Sequence, residues 1–387
     1  MESESAGAAP SAVGIVEVAP RDGLQNETEI LEPAERAELV ARAVAAGARR
    51  VEAVAFVRPG RVPQMAGAEE VMALVPRVAG VRYSGLVLNR RGLERAVDGG
   101  VDEVNCVVVA SDTFCRRNQG VGTEEALTVW EDVAARAHAA GVAPSVTVAA
   151  AFGCPFEGEI PEPRVVGLAR RAARTGAAEI VLADTIGVAA PDAVTRLLHA
   201  VAEAAPGVPL RCHFHNTRNT GYANAVAALH AGATWLDASL GGIGGCPFAP
   251  AATGNIATED LVYLMERMGV RTGIELEAAI GVAGRLGERL GKPVPALLGR
   301  AGTFPPSPRP PRPPSSPSPP PSPRPPSPPS SPQAAPSPQP PQPPLCPSSS
   351  PSPPSGSGGP SAADPAQTAR SDRSGRSDRS GRSGRVG

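Results

Sequence analysis

Two of the five histidines, His213 and His215, flank Phe214. Alternate side chains on a strand face the same way, so both imidazoles point to one side. That pattern suits a metal ion, although two hydrogen-bonded histidines at a barrel mouth would share it. His138, His199 and His230 fall in helical stretches and read as surface or helix-end residues. In residues 17–27 (EVAPRDGLQNE), Arg21 stands beside Asp22 at the end of an apolar run. Such a pair could hold a cation and an oxyanion together; the plainer alternative is a surface ion pair before a turn. Glu52 lies inside another apolar run, where a buried acid is expensive unless paired. Its expected partner is Arg21 or the site itself, and the alternative is a salt bridge inside the barrel. Asp184, followed by Thr185, ends a further run. Residues 241–247 (GGIGGCP) read as a mobile loop carrying one thiol, Cys246, as catalytic lids do. No Gly-Lys-Ser/Thr follows, so this is not a P-loop. Residues 254–260 (GNIATED) come next, with Asn255 and Glu259. One carboxylate, two imidazoles and an amide oxygen without thiolate favour Mg²⁺ or Mn²⁺ over structural zinc.

Composition removes some alternatives. Lys292 is the sole lysine and sits in a Gly-Lys-Pro turn, a poor place for the desolvated amine of a Schiff-base aldolase. Residues 301–387 hold 29 of the 46 prolines, with 9 basic and 3 acidic residues, a net of +6. The first 300 residues then carry 28 basic and 35 acidic residues, a net of −7. An acidic body argues against nucleic acid as the main partner. No run of about 18 apolar residues occurs, so no membrane span is expected. The six cysteines show no CxxC spacing, and the acidic start suits neither secretion nor mitochondrial import, which predicts reduced thiols in a cytoplasmic protein. Cys106 and Cys212 read as small core residues.

These residues need a frame. Apolar, β-branched runs predict strands at 14–18, 50–55, 82–88, 103–109, 145–151, 179–183, 210–215 and 235–239. Helical stretches alternate with them at 33–46, 67–74, 91–98, 123–140, 161–175, 191–205, 221–231 and 258–268. Gly47, Gly100, Gly141, Gly176, Gly232 and Gly269 each stand where a helix should end. Eight strand–helix units favour a (β/α)8 TIM barrel over an open sheet, with an extra helix at 276–290 outside it. The expected division is a flexible N-terminus at 1–11, the barrel at 12–300, and a disordered Pro/Ser/Arg-rich tail at 301–387. On a barrel, the chemistry sits at the C-terminal strand ends, where the residues above fall.

The text resembles the hydroxymethylglutaryl-CoA lyases of the metal-dependent acyl-CoA lyase and synthase superfamily. The blocks that carry the likeness are 17–27, 56–65 (FVRPGRVPQM), 153–158 (GCPFEG), 184–187, 241–248 (GGIGGCPF) and 254–263 (GNIATEDLVY). Leu24 favours the lyases, since the related synthases carry Glu there. The resemblance implies Asp22, His213, His215 and Asn255 as metal ligands, Arg21 on the thioester oxygen, and Cys246 as the loop thiol. Glu52, Asp184 and Gln25 would form the catalytic network, with Asp184 or His213 as base and Glu259 in support. Asn118 and Thr185 join Arg21 and Gln25 as expected substrate contacts. The implied reaction cleaves 3-hydroxy-3-methylglutaryl-CoA to acetyl-CoA and acetoacetate, in a homodimer; the alternatives are cleavage of a related 3-hydroxyacyl-CoA and a Claisen-type synthase reaction between an acyl-CoA and a keto acid. The chain departs from the pattern at residues 216–220 (NTRNT), where the family reads Asp-Thr-x-Gly-Gln, at Thr147 and Ala149, where it carries Tyr and Ser, and at Asp112, where Glu is common.

Overall fold

Each apolar run forms one strand in the computed structural model, which describes residues 10–245 and 254–305. The strands are β1 (Gly14–Glu17), β2 (Arg50–Ala55), β3 (Arg82–Val87), β4 (Glu103–Val109), β5 (Ala143–Ala149), β6 (Glu179–Asp184), β7 (Leu210–Phe214) and β8 (Trp235–Ala238). They pair in parallel and in sequence order, and β8 closes on β1 as a barrel. Strands buried on both faces read as largely apolar runs; in β2 all six residues are buried, with Arg50 and Glu52 as its charged members.

The helices are α1 (Pro33–Ala45), α2 (Ala68–Leu74), α3 (Arg90–Asp98), α4 (Asp112–Gln119), α5 (Thr123–Ala139), α6 (Glu162–Arg174), α7 (Pro191–Ala204), α8 (Gly221–His230), α9 (Thr258–Arg267), α10 (Leu276–Leu290) and α11 (Leu298–Ala301). Val40, Val133, Val165, Leu198 and Val262 are buried on their inner faces against the strands. The six glycines expected after helices all have φ between +70° and +109°, the left-handed conformation that closes a helix at low strain.

Some features differ from the sequence expectation, beyond small shifts of strand ends such as β5 at Ala143–Ala149. α4 was not anticipated, because Phe114 and Cys115 are its only buried residues and leave no apolar stripe. Its signal was the cap: Ser111 Oγ accepts from Phe114 N at 3.2 Å. A π-helical turn, Ala19–Gly23, follows β1, a turn type that the sequence reading does not specify. At the other end, α11 carries the packed chain past residue 300, with Leu298 N donating to Asp260 Oδ1 at 3.0 Å. Near the N-terminus, Arg271 N donates to Ser11 O at 3.1 Å, so the chain is held from Ser11 onward. Residues 1–9, the Cys246 segment at 246–253, and 306–387, with nearly all of the expected tail, lie outside the described residues. Among the described residues, no helix is long and apolar enough to cross a membrane.

Candidate active site

The π turn after β1 turns two consecutive side chains to one place. π-helical turns recur at functional sites because the extra residue re-aims its neighbours. Arg21, 7 % exposed, donates from Nε and Nη2 to Glu52 Oε2 at 3.0 and 2.5 Å, and from Nη1 to Asp22 Oδ1 at 2.6 Å. Glu52 Oε1 accepts from Asn105 Nδ2 at 3.1 Å, and Asn105 Oδ1 accepts from Thr147 Oγ1 at 2.9 Å. Arg21 is thus tied through β2 and β4 to β5. Burial opposes its charge, but Glu52 and Asp22 outweigh that and hold the guanidinium protonated.

His213 and His215 come from β7 and the residue just after it, with ring centroids 5.1 Å apart. His215 also bridges to Asn255, because Asn216 N donates to Gly254 O and Ile256 N to Phe214 O. That pairing brings Asn255 to Asp22: its Nδ2 donates to Asp22 Oδ2 at 2.9 Å and to Ile243 O at 3.0 Å. Its Oδ1 is then the atom it could offer a cation. Gly244 packs directly beside this group. A Cβ there would meet Asn255 Nδ2 at 2.5 Å and the Asp22 carbonyl oxygen at 3.0 Å, and the residue has φ +109°, so no other residue fits.

Asp22, His213 and His215 each offer one ligand atom, all within 4.8 Å of one another. The donor chemistry fits a divalent cation. Burial raises the Asp22 pKa, but Arg21 and the two imidazoles outweigh it and hold the carboxyl well below the usual range. Burial and the neighbouring His213 push His215 down to about 4, so it is a neutral imidazole near pH 7. Its Nδ1 is buried without a hydrogen-bond partner among the described residues, a state that a ligand would relieve.

The other expected residues fall into distinct places. Asp184 is buried, with Oδ1 accepting from Val188 N at 2.9 Å and Oδ2 from Ala189 N at 3.0 Å. Burial raises its pKa despite those bonds. Thr185 Oγ1 accepts from Ala150 N at 2.9 Å, tying the β6 end to the β5 end. Gln25 is half-buried, one turn beyond Arg21, and its N–H donates to Arg21 O at 3.0 Å. Asn118 is exposed on α4 and makes no hydrogen bond to the Asp22 group. Glu259 accepts from Gly241 N with both oxygens, at 3.2 and 3.0 Å, and burial pushes it up to about 8. Asn216 Oδ1 accepts from Gly221 N at 3.2 Å, at the start of α8. Cys246 lies outside the described residues. Cys106 and Cys212 are buried core residues, and burial pushes the Cys106 thiol up to about 12.

Beside the expected residues, three buried groups escaped the sequence reasoning, apart from the charges lower in the barrel. Asp237 on β8 stands beside His213, Nδ1 to Oδ2, at 3.1 Å. Asn105 completes the Glu52 network. Glu17 accepts from Ala19 N at 2.8 Å, Leu240 N at 3.0 Å and Thr258 Oγ1 at 2.7 Å. The argument used for Glu52, a charged residue inside an apolar strand, applied equally to Glu17 and Asp237.

Residues 12–284 match the HMGL-like family. The chain belongs to that family. It is 48 % identical over 301 residues to the (R)-citramalyl-CoA lyase of Chloroflexus aurantiacus, covering 75 % of this chain and 95 % of that one. It is 42 % identical over 280 residues to the hydroxymethylglutaryl-CoA lyase of Pseudomonas mevalonii, covering 72 % and 93 %. The structure of an Acinetobacter baumannii HMG-CoA lyase in complex with coenzyme A and 3-methylmalate superposes with a TM-score of 0.73 at 38 % identity, covering 76 % and 96 %. These HMGL-like relatives are carbon–carbon lyases, and the chain is a lyase of that type.

Proposed function

We propose that the protein cleaves 3-hydroxy-3-methylglutaryl-CoA to acetyl-CoA and acetoacetate with a divalent cation, Mg²⁺ or Mn²⁺. The observation that carries this is the convergence of Asp22, His213 and His215 beside a charged, fixed Arg21. Asn255 completes the ligand set. A cation bound there lowers the pKa of the substrate's tertiary hydroxyl, as it does for bound water.

The rest of the reaction falls to side chains. Asp184 takes the hydroxyl proton; each carboxylate oxygen keeps a second lone pair beyond its backbone hydrogen bond. As the ketone forms, the C2–C3 bond breaks and its electron pair moves onto the thioester as an enolate. Arg21, held by Glu52, stabilises that oxyanion, an effect worth about 3–4 kcal/mol for one donor. Gln25, Asn118 and Thr185 are the proposed substrate contacts, and the Cys246 loop thiol is the proposed acid that protonates the enolate carbon and so completes acetyl-CoA. Glu259 supports the site through the Gly241 backbone.

A second substrate is favoured by the 48 % identity to the citramalyl-CoA lyase. (R)-Citramalyl-CoA has the same tertiary alcohol and thioester, with its carboxylate one methylene closer, and would give acetyl-CoA and pyruvate. Initial rates with both thioesters decide the matter. Faster acetoacetate release supports the first substrate, faster pyruvate release the second, and neither product removes both.

A further inference from the structure

A TIM-barrel interior is ordinarily filled by branched apolar side chains, but the lower half of this lumen holds a row of paired charges. Arg82, which reaches solvent, has Nη1 at 2.9 Å from Glu103 Oε1. Glu103 Oε2 accepts from Arg50 Nη2 at 2.7 Å, and Arg50 Nη1 donates to Glu179 Oε1 at 2.9 Å. Arg211 Nε lies 3.1 Å from Glu179 Oε2, and Arg211 Nη1 lies 3.4 Å from Asp237 Oδ1. From Glu103 to Asp237 every rung is buried. Such a row is poor value for stability, since well-packed apolar residues often serve a core as well or better. Its upper end explains it better, because the last rung, Asp237, meets His213.

We infer that Asp237, braced by Arg211, is a positioning residue that fixes the tautomer of His213. The inference rests on Asp22, His213 and His215 being the cation ligands. A carboxylate only accepts, so the nitrogen facing Asp237 Oδ2 at 3.1 Å, Nδ1, must carry the proton. The neutral ring then keeps its lone pair on Nε2, the nitrogen 3.9 Å from Asp22 Oδ2. Arg211 Nη1 lies 3.4 Å from the other oxygen, Oδ1, an ion pair without a hydrogen bond that favours this orientation of the carboxylate. Carboxylates behind ligating histidines raise ligand basicity and set ring orientation in this way.

The test uses the full chain labelled with ¹⁵N-histidine, metal-free, at alkaline pH. Long-range ¹H–¹⁵N correlations, with His213→Gln to assign the ring, read the tautomer directly. The expected result is Nδ1–H in the wild type. In parallel, Mn²⁺ binding followed by electron paramagnetic resonance should weaken about 10- to 100-fold in Asp237→Asn. An Nε2–H ring in the wild type overturns the inference, as does an unchanged Mn²⁺ affinity in Asp237→Asn. Should that variant fail to fold, the wild-type spectrum decides alone. A wild type with the Nδ1–H ring but no Mn²⁺ binding would remove the cation assignment and leave the tautomer assignment standing.

Discussion

Arg21 places two nitrogens on one oxygen of Glu52, Nε at 3.0 Å and Nη2 at 2.5 Å, and its third on Asp22. The guanidinium is therefore fixed before any substrate arrives, and its charge is balanced from both sides. Groups held in advance where charge develops give most of the electrostatic stabilisation in enzyme sites.

Arg21→Ala should lower kcat by about 10²- to 10³-fold. Metal content, read by elemental analysis, should stay near that of the wild type. Arg21→Lys should not rescue the rate, because an ammonium cannot serve both carboxylates in this planar arrangement. A wild-type rate in Arg21→Ala would remove Arg21 from the chemistry.

His215→Ala should lose the metal. The ring is buried and neutral near pH 7, and its Nδ1 has no hydrogen-bond partner among the described residues. Elemental analysis after dialysis against a low concentration of Mn²⁺ gives the answer. Full occupancy would exclude His215 from the ligand set.

The barrel and the rim were legible in the sequence for a physical reason. Strands buried on both faces are mostly apolar, so Asp184, Glu52 and the His213 and His215 pair stood out, although Arg50, Glu103, Glu179, Arg211 and Asp237 are buried on strands as well. Glu52 also pointed to Arg21, and the two meet; the contact between Asp237 and His213 was not legible. Asp237 and His213 are level on neighbouring strands, and that register exists only once the barrel closes. α4 was missed because its short sequence (DTFCRRNQ) buries only two side chains. The turn at Ala19–Gly23 was missed because Pro20 and Gly23 signal a turn without saying that it is π-helical.

Stability should carry a pH signature from two buried acids beneath residues 240–242. Burial pushes Glu17 up to about 7 and Glu259 up to about 8, from an ordinary 4.5. Between those values the folded chain keeps protons that the unfolded chain has released, so this contribution falls as pH rises. His215 contributes with the opposite sign between about 4 and 6.5, so a difference measurement is needed. Glu17→Gln imitates the protonated acid. The wild-type urea midpoint should therefore fall relative to that of Glu17→Gln between about pH 5 and pH 8. Parallel curves would contradict the assignment.

Arg50→Met should destabilise the fold by about 3–5 kcal/mol, because it leaves two buried carboxylates, Glu103 and Glu179, without their shared cation. Urea unfolding reads this directly. A change within about 0.5 kcal/mol, the usual range for surface positions, would mean that water or Arg211 replaces the pairing.

The most direct test strips the purified protein with a chelator, then adds Mg²⁺ or Mn²⁺, and measures acetyl-CoA released from hydroxymethylglutaryl-CoA and from (R)-citramalyl-CoA. The expected result is no release from the stripped protein and full recovery on adding metal, with acetoacetate or pyruvate formed in equal amount. Release that persists after chelation, or no acetyl-CoA from either thioester with metal bound, would contradict the proposed metal-dependent cleavage at Asp22, His213 and His215.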